Sequence, residues 1–410
     1  MKAQIASLGF LFRKVFYICL QKPTMKKIMF WGDSPTVGTG FGNVLKFIIK
    51  NLPRDKYQIS VLGVYDQSKP HDLDCTIYPV LGQSEIFYKD EVYKHIKKEN
   101  PDIIFLLNDI WVINMILDFL KEYKVFKKSK VVGYMPVDAA DHDPDWYSNA
   151  KYLKKLVVYN KFGQEVVKKA RPEIKTEIIE HGVDKAVFYK LPNTRSEIRE
   201  TLFQNAPELD NAFVFLNAGR NQPRKLLDIS MRAFAQFAKN KKDVYLYMHC
   251  GYVDAHIDVM RLAKILGIVD KLLMTTATPG MPNVPIEHLN FIYNFCDVGL
   301  NSGLGEGFGL PNAEHAAIGK PQIVPDHSAL SDLYQDCGLL VPAKINVTLQ
   351  DLTTTGKMIL AEDMAGYMEL LYSNKDVYKN LSMRSADKFT SDKYSWVTIT
   401  KQWMDIFDKL

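Results

Sequence analysis

The chain has 410 residues and a formal net charge of +5, with 47% hydrophobic and 24% charged residues, an ordinary balance for a soluble globular protein whose mild charge does not argue for nucleic acid. Five scattered cysteines (Cys19, Cys75, Cys250, Cys296 and Cys337) form no CxxC pair and no Cys/His cluster. This argues against a disulfide framework and a structural zinc site, and for a reducing cytoplasm.

Residues 1–24 hold two short apolar runs, Ile5 to Phe12 and Val15 to Leu20, interrupted by Arg13 and Lys14. They are too short and too charged for a membrane span, and a signal peptide carries its basic residues ahead of the apolar stretch. The segment reads as an extension before a domain start at Met25. The sharper alternative is a basic amphipathic surface anchor, with Lys2, Arg13, Lys14 and Lys22 beside Phe and Leu.

From Met25 short apolar runs alternate with amphipathic stretches. Strands are expected at Lys27–Trp31, Gln58–Val64, Ile103–Leu107, Val131–Met135, Leu156–Tyr159 and Glu177–Glu180. Helices are expected at about Gly42–Asn51, Ile86–Lys98, Trp111–Tyr123 and Phe162–Ala170. A polar stretch from Lys185 to Asn211, with Pro192, Pro207 and one short helix, reads as a linker. A second series follows, with strands at Ala212–Leu216, Val244–His249, Lys271–Thr275, Val298–Asn301 and Gln322–Pro325. Its helices are Lys225–Lys239, Ala255–Leu266, Ile286–Asn294 and Pro311–Ile318. Such alternation predicts an α/β chain of two parallel-sheet domains. Trp396, Ile399, Trp403, Ile406 and Phe407 then form an apolar stripe on a last helix.

Three turns could carry chemistry. The sharpest is Gly303 to Glu314, GLGEGFGLPNAE, between a strand and a helix. Its glycines allow close backbone approach to a ligand, Pro311 suits the first helical position, and the free amides there favour an anion. Glu306 can accept from donor-sugar hydroxyls and Glu314 from ribose hydroxyls; complementing the helix dipole would also explain Glu314. The second is Gly219 to Lys225, GRNQPRK, where Arg220 and Lys225 offer charge to a diphosphate at a strand's carboxyl end; a solvated basic turn is the bland reading. The third is Gly32 to Gly42, a partial phosphate-cradling loop with Gly38, Gly40 and Gly42. No Lys-Ser/Thr pair follows it, so it is not a P-loop.

From Met25 onward the chain resembles the retaining, family-4-type glycosyltransferases of GT-B fold (glycosyl transferases group 1). The resemblance rests on Glu306 and Glu314 within EGFGLPNAE, on Arg220 and Lys225, on His181-Gly182-Val183-Asp184 before the linker, and on the first glycine loop. It implies two Rossmann-like domains facing across a cleft: an acceptor domain at 25–205 and a nucleotide-sugar domain at 206–390. Residues 391–410 would form a helix crossing back to the first domain. It also implies that Arg220 and Lys225 hold the diphosphate, Glu314 the ribose and Glu306 the sugar. The backbone of Gly307, Phe308, Gly309 and Leu310 would contact sugar and phosphate, and Gly38, Gly40 and Gly42 would approach the phosphates. The donor would be a UDP- or GDP-sugar and the acceptor a glycan, lipid or other hydroxyl. Neither a cofactor nor a metal is implied.

Two positions depart from that family. Where many relatives carry a catalytic-region His after the strand at Val131–Met135, this chain offers Asp138 as the best match and His142 as the runner-up. His315 stands where many relatives have Ala, and reads as helix packing. Asp72-Leu73-Asp74 and Asp141-His142-Asp143 both spell DxD but read as surface carboxylates. The lysines at 151, 154, 155, 161, 168 and 169 read as a solvated face, or as a contact with an anionic acceptor or membrane surface. Thr276–Asn283 is the expected region for base selection. Other classes are a sugar-nucleotide epimerase, a phosphorylase, an idle binding module and a DNA-base glucosyltransferase, the last marked by salt-dependent DNA binding. An obligate nucleic-acid partner is not expected.

Overall fold

The computed structural model describes residues 25–68, 70–80, 89–275, 280, 282, 284–349 and 352–410. The extension at 1–24, with its alternative reading as an anchor, and most of the expected base-selecting segment lie outside them.

The first series runs β1 (Lys26–Asp33), α1 (Gly40–Asn51), β2 (Tyr57–Val64), β3 (Thr76–Val80), α2 (Lys89–Glu99), β4 (Ile103–Leu107), α3 (Ile110–Glu122), β5 (Lys130–Met135), β6 (Lys155–Val158), α4 (Lys161–Ala170) and β7 (Thr176–Ile178). Its strands are ordered β3-β2-β1-β4-β5-β6-β7. The short helix α5 (Arg195–Leu202) opens on a complete capping box between Thr194 and Glu197.

The second series runs β8 (Phe213–Asn217), α6 (Leu227–Phe237), β9 (Val244–Met248), α7 (Val259–Leu266), β10 (Leu272–Met274), α8 (Ile286–Phe295), β11 (Val298–Leu300), α9 (Leu310–Ala317), β12 (Gln322–Pro325), α10 (Ser328–Tyr334) and β13 (Leu339–Val341). Its sheet is ordered β10-β9-β8-β11-β12-β13, all parallel. An antiparallel hairpin, β14 (Ala343–Leu349) and β15 (Thr354–Ile359), precedes α11 (Ala361–Ser373), α12 (Lys375–Phe389) and α13 (Trp396–Lys409).

The central strands are apolar because helices cover both faces of a parallel sheet; all five residues of β4 are buried. In each sheet the order reverses beside the first strand of its series, between β1 and β4 and between β8 and β11. Loops leaving the carboxyl ends at such a switch point make the natural ligand site of an open α/β sheet. The turns after β1 and β8 and the loop after β11 are the three that sequence reading singled out.

Packing groups the described residues up to Leu106, with Phe119–Val131 and Leu410, into one compact unit, and Leu107–Asp118 with Val132–Lys409 into another. In the first, Trp31 meets Phe119 edge-on at 5.7 Å and Phe30 meets Phe105 at 5.0 Å. In the second, Phe215, Phe234, Phe237, Met248, Met364 and Met368 share one core. There α13 packs on β5, with Trp403 4.7 Å from Tyr134, and the Val183 amide donates to the Tyr394 carbonyl at 2.8 Å. The apolar stripe of the final helix is thus buried against the first sheet.

Several boundaries moved. Helix α6 starts at Leu227 rather than Lys225, because Pro223–Lys225 form a 3-10 turn and Leu226 is left-handed at φ 43°. Helix α7 starts at Val259, where Asp258 caps it by accepting from the Arg261 amide at 2.8 Å. Pro311 occupies the second position of α9, not the first. The edge strand β3, which carries Pro79, was not expected, and nor were the elements from α10 to α12.

Candidate functional site

The turn after β1 is ordered by hydroxyls. Thr39 caps α1, accepting from the Gly42 amide at 3.0 Å and donating to Asp33 at 2.6 Å. Ser34 and Thr36 both donate to Asp66 at 2.7 Å. A Cβ at Gly42 would sit 2.6 Å from the Ser34 and Val37 carbonyl oxygens, so this glycine serves the turn itself. Gly38 and Gly40 have open space on their Cβ side.

The loop after β11 uses its glycines differently. A Cβ at Gly305 would overlap the Asp138 carbonyl oxygen, and one at Gly307 would lie 2.9 Å from Pro136. The sequence reading had these glycines admitting a ligand; here they admit the segment after β5. Asn160 reinforces that approach by donating to the Gly307 carbonyl at 2.6 Å. Phe308 is buried 5.0 Å from His181, whose ring also meets Tyr159 at 4.1 Å. The outer edge of β15 ties the same two segments. Thr355 exchanges both backbone hydrogen bonds with Ala140, at 2.8 and 3.0 Å, and the Lys357 amide donates to the Leu304 carbonyl at 2.9 Å.

These loops converge four charges. Lys225 is ion-paired to Glu306, Arg224 lies 3.2 Å from Asp138 and 4.0 Å from Glu306, and Asn301 donates to Glu306 at 3.1 Å. Burial opposes the Glu306 charge, but Lys225 and Arg224 outweigh it and hold the carboxyl below its usual range. Burial and neighbouring Arg224 push the Lys225 ammonium down. Leu226, left-handed without being glycine, directly follows Lys225; such strain in an ordinary residue gathers at functional sites.

Of the expected site residues, the structure brings together Asp138, Lys225 and Glu306. Arg220 is instead held by Asp254, with its Nε donating at 2.9 Å. Glu314, in α9, accepts from the Tyr293 hydroxyl at 3.1 Å. Burial raises the Glu314 carboxyl to about 8, so it is mostly protonated at neutral pH. The runner-up His142 shares a 2.8 Å hydrogen bond with the Tyr147 hydroxyl, and burial lowers it to about 4. Asp72 and Asp74 are exposed, Asp141 pairs with Lys169 at 2.7 Å, and Asp143 caps a 3-10 turn.

Sequence reasoning missed Arg224 and Asn301. Arg224 stands in the quoted GRNQPRK turn, but its one-residue separation from Lys225 gave no sign that both would face Glu306. His315 is buried in α9 and also joins a polar network: its Nε2 donates to the Tyr293 carbonyl and its Nδ1 accepts from Gln322, both at 3.1 Å.

Residues 198–350 match the model of the family glycosyl transferases group 1. Over that stretch the chain is similar to the group 1 glycosyltransferases. The stretch supplies Arg220, Arg224, Lys225, Asn301, Glu306 and Glu314, while Asp138 and Asn160 come from outside it.

Solved structures with the same fold include a sucrose-phosphate synthase from Thermosynechococcus elongatus, with TM-score 0.74 and 15% identity over 94% of this chain and 98% of that one. A glycosyltransferase from Rickettsia africae gives TM-score 0.70 and 16% identity over 94% and 98%. HepE of Anabaena, solved in complex with UDP-glucose, gives 0.67 and 16% over 94% and 100%. At these identities the likeness is one of fold, the GT-B arrangement of two Rossmann-like sheets. The sequence matches no curated protein.

Proposed function

We propose that this protein moves a sugar from a UDP- or GDP-sugar to a hydroxyl of a glycan, lipid or other acceptor, with retention of configuration and without a metal. The observation that carries this reading is the convergence of Lys225, Arg224, Glu306 and Asp138 at the switch point of the second sheet. HepE, of like fold, is solved with UDP-glucose, and the group 1 match covers the loops that supply three of the four charges.

In this reading residues 206–390 hold the donor and residues 25–205 the acceptor. The diphosphate lies against the 219–225 turn and the amino end of α9. Glu306 accepts from donor-sugar hydroxyls, and Glu314 meets the ribose. As the anomeric carbon–oxygen bond breaks, its electron pair passes to the diphosphate oxygen. Lys225 and Arg224 stabilise that charge most in the transition state; Arg220 joins them by exchanging Asp254 for phosphate. Asp138 and Glu306 are both engaged by cations, which weakens them as nucleophiles. The acceptor oxygen therefore bonds to the same face of the anomeric carbon, and its proton passes to the departing phosphate.

The protein would act in the cytoplasm. Lys151, Lys154, Lys161 and Lys168 are exposed and suit an anionic acceptor or the membrane surface, and no helix among the described residues is long and apolar enough to cross a membrane. An epimerase would need no acceptor; nothing in the site favours it.

A thermal-shift screen against UDP-, GDP- and ADP-sugars identifies the donor, because a ligand that binds only the native state raises its melting temperature. With that donor, Glu306→Gln and Lys225→Ala should each lower kcat by roughly 100- to 1000-fold while leaving the fold intact. NMR of the product should show the donor's anomeric configuration. Wild-type turnover in both variants, or a new sugar nucleotide formed from donor alone, rejects the reading.

A further inference from the structure

A chain of buried polar side chains leads away from Glu306. Asn301 donates through Nδ2 to Glu306 at 3.1 Å and to Asn312 Oδ1 at 2.9 Å. Asn312 Nδ2 donates to Gln322 Oε1 at 2.9 Å, and Gln322 Nε2 donates to His315 Nδ1 at 3.1 Å. His315 Nε2 donates to the Tyr293 carbonyl at 3.1 Å. All four side chains are at least nine-tenths buried.

The order of donors and acceptors along this chain is forced. A carbonyl can only accept, so His315 must carry its proton on Nε2 and leave Nδ1 as an acceptor. Burial lowers the imidazole to about 3, so it holds that single proton across the physiological range. Gln322 must then present its NH2 to His315 and its oxygen to Asn312. Asn312 in turn presents its NH2 to Gln322 and its oxygen to Asn301, which leaves the Asn301 NH2 facing Glu306. Backbone groups repeat the choice at each step: Gln322 also donates to the Lys320 carbonyl at 2.9 Å, and Asn301 Oδ1 accepts from the Gly303 amide at 2.9 Å. Space has been made for the chain, since Gly299 pairs with Gln322 across β11 and β12 and a Cβ there would overlap the glutamine amide.

We infer that His315, Gln322, Asn312 and Asn301 are positioning residues that hold an amide donor against Glu306, so that one Glu306 oxygen stays fixed and the carboxylate faces the donor sugar in a single orientation. This rests on the glycosyltransferase reading of Glu306. A buried carboxylate gripped by Lys225 alone could swing about that point charge; the amide adds a second, directional contact. The other groups facing Glu306 are Arg224, with Asp138 behind it, and Tyr334, while Ser328 accepts from the Glu306 backbone amide.

Gln322→Met, Asn312→Leu and His315→Phe break the chain at three places without touching any of the four site charges. Each is compared with wild type and with Glu306→Gln for melting temperature, for UDP binding, and for the pH dependence of UDP-glucose hydrolysis and transfer. If UDP-glucose is not a donor, the best ligand of the nucleotide-sugar screen replaces it. We expect UDP affinity within twofold of wild type, kcat lowered at least tenfold, and the acid limb of the rate profile moved to higher pH, because Glu306 loses a donor that favours its charge. Folded variants with unchanged kcat and acid limb, beside an inactive Glu306→Gln, overturn the positioning role and leave the reading of Glu306 standing. An active Glu306→Gln overturns both. If all three variants lose the fold, the chain is a scaffold only and the inference fails.

Discussion

The glycine turn after β1 and the glycine loop after β11 are alike in sequence and opposite in construction. The first is closed by hydroxyls donating to Asp33 and Asp66, and leaves Gly38 and Gly40 with open space. The second is pressed against the segment after β5 at Gly305 and Gly307, and closed by cations on Glu306. A glycine-rich turn therefore reports that something comes close, but not whether it is a ligand or the protein's own backbone.

The largest effect that could break this contrast is at Gly305. Gly305→Ala sets a methyl against the Asp138 carbonyl, so it should cost about 1–3 kcal/mol of stability. It should also lower transfer by roughly 100-fold by displacing Glu306, as misplacement of a catalytic group does; an active, stable variant would show that the two segments need not touch. Next comes Gly42→Ala, which strikes the Ser34 and Val37 carbonyl oxygens. It should cost a similar ~1–3 kcal/mol in a denaturant melt, with specific activity retained in the folded fraction.

The second loop also leads to a carboxyl without a cation. For Glu314 the folded value of about 8 lies above the ordinary 4.5. The unfolded chain therefore releases this proton first, and wild type loses stability as pH rises through that window. Glu314→Gln should melt above wild type at pH 8 and converge with it below about pH 4.5; a pH-independent gap would remove burial as the cause. The smallest effect is at Gly40, in the first turn of α1. Gly40→Ala should gain at most about 1 kcal/mol of stability. If donor phosphates approach this turn, KM for the sugar nucleotide should rise while the melting temperature does not fall. An unchanged KM would assign the turn to folding alone.

Most strands and helices of both series were legible, because strands buried on two faces are short unbroken apolar runs and the helices between them repeat at 3.6 residues. Hairpin β14–β15 was not expected although Ile345, Val347 and Leu349 alternate with Lys344, Asn346 and Thr348; its footing is a backbone edge that leaves no side-chain signature. Glu306 and Lys225 were readable as residues of one site. Their partners were not, since Arg224 reaches Asp138 across 86 positions of sequence and Gln322, at the start of β12, turns back onto His315 in α9.

Residue order alone determined the two α/β series, the loops at their strand ends and the aromatic stripe of the last helix, because these follow from local periodicity and from which residues can turn. Tertiary structure alone decided that Arg224 rather than Arg220 faces Asp138, that Glu314 sits half-buried with no cation beside it among the described residues, and that three amides and a histidine lead to Glu306. Charge, burial and hydrogen-bond direction depend on neighbours brought from distant strands, and no spacing along the chain encodes them.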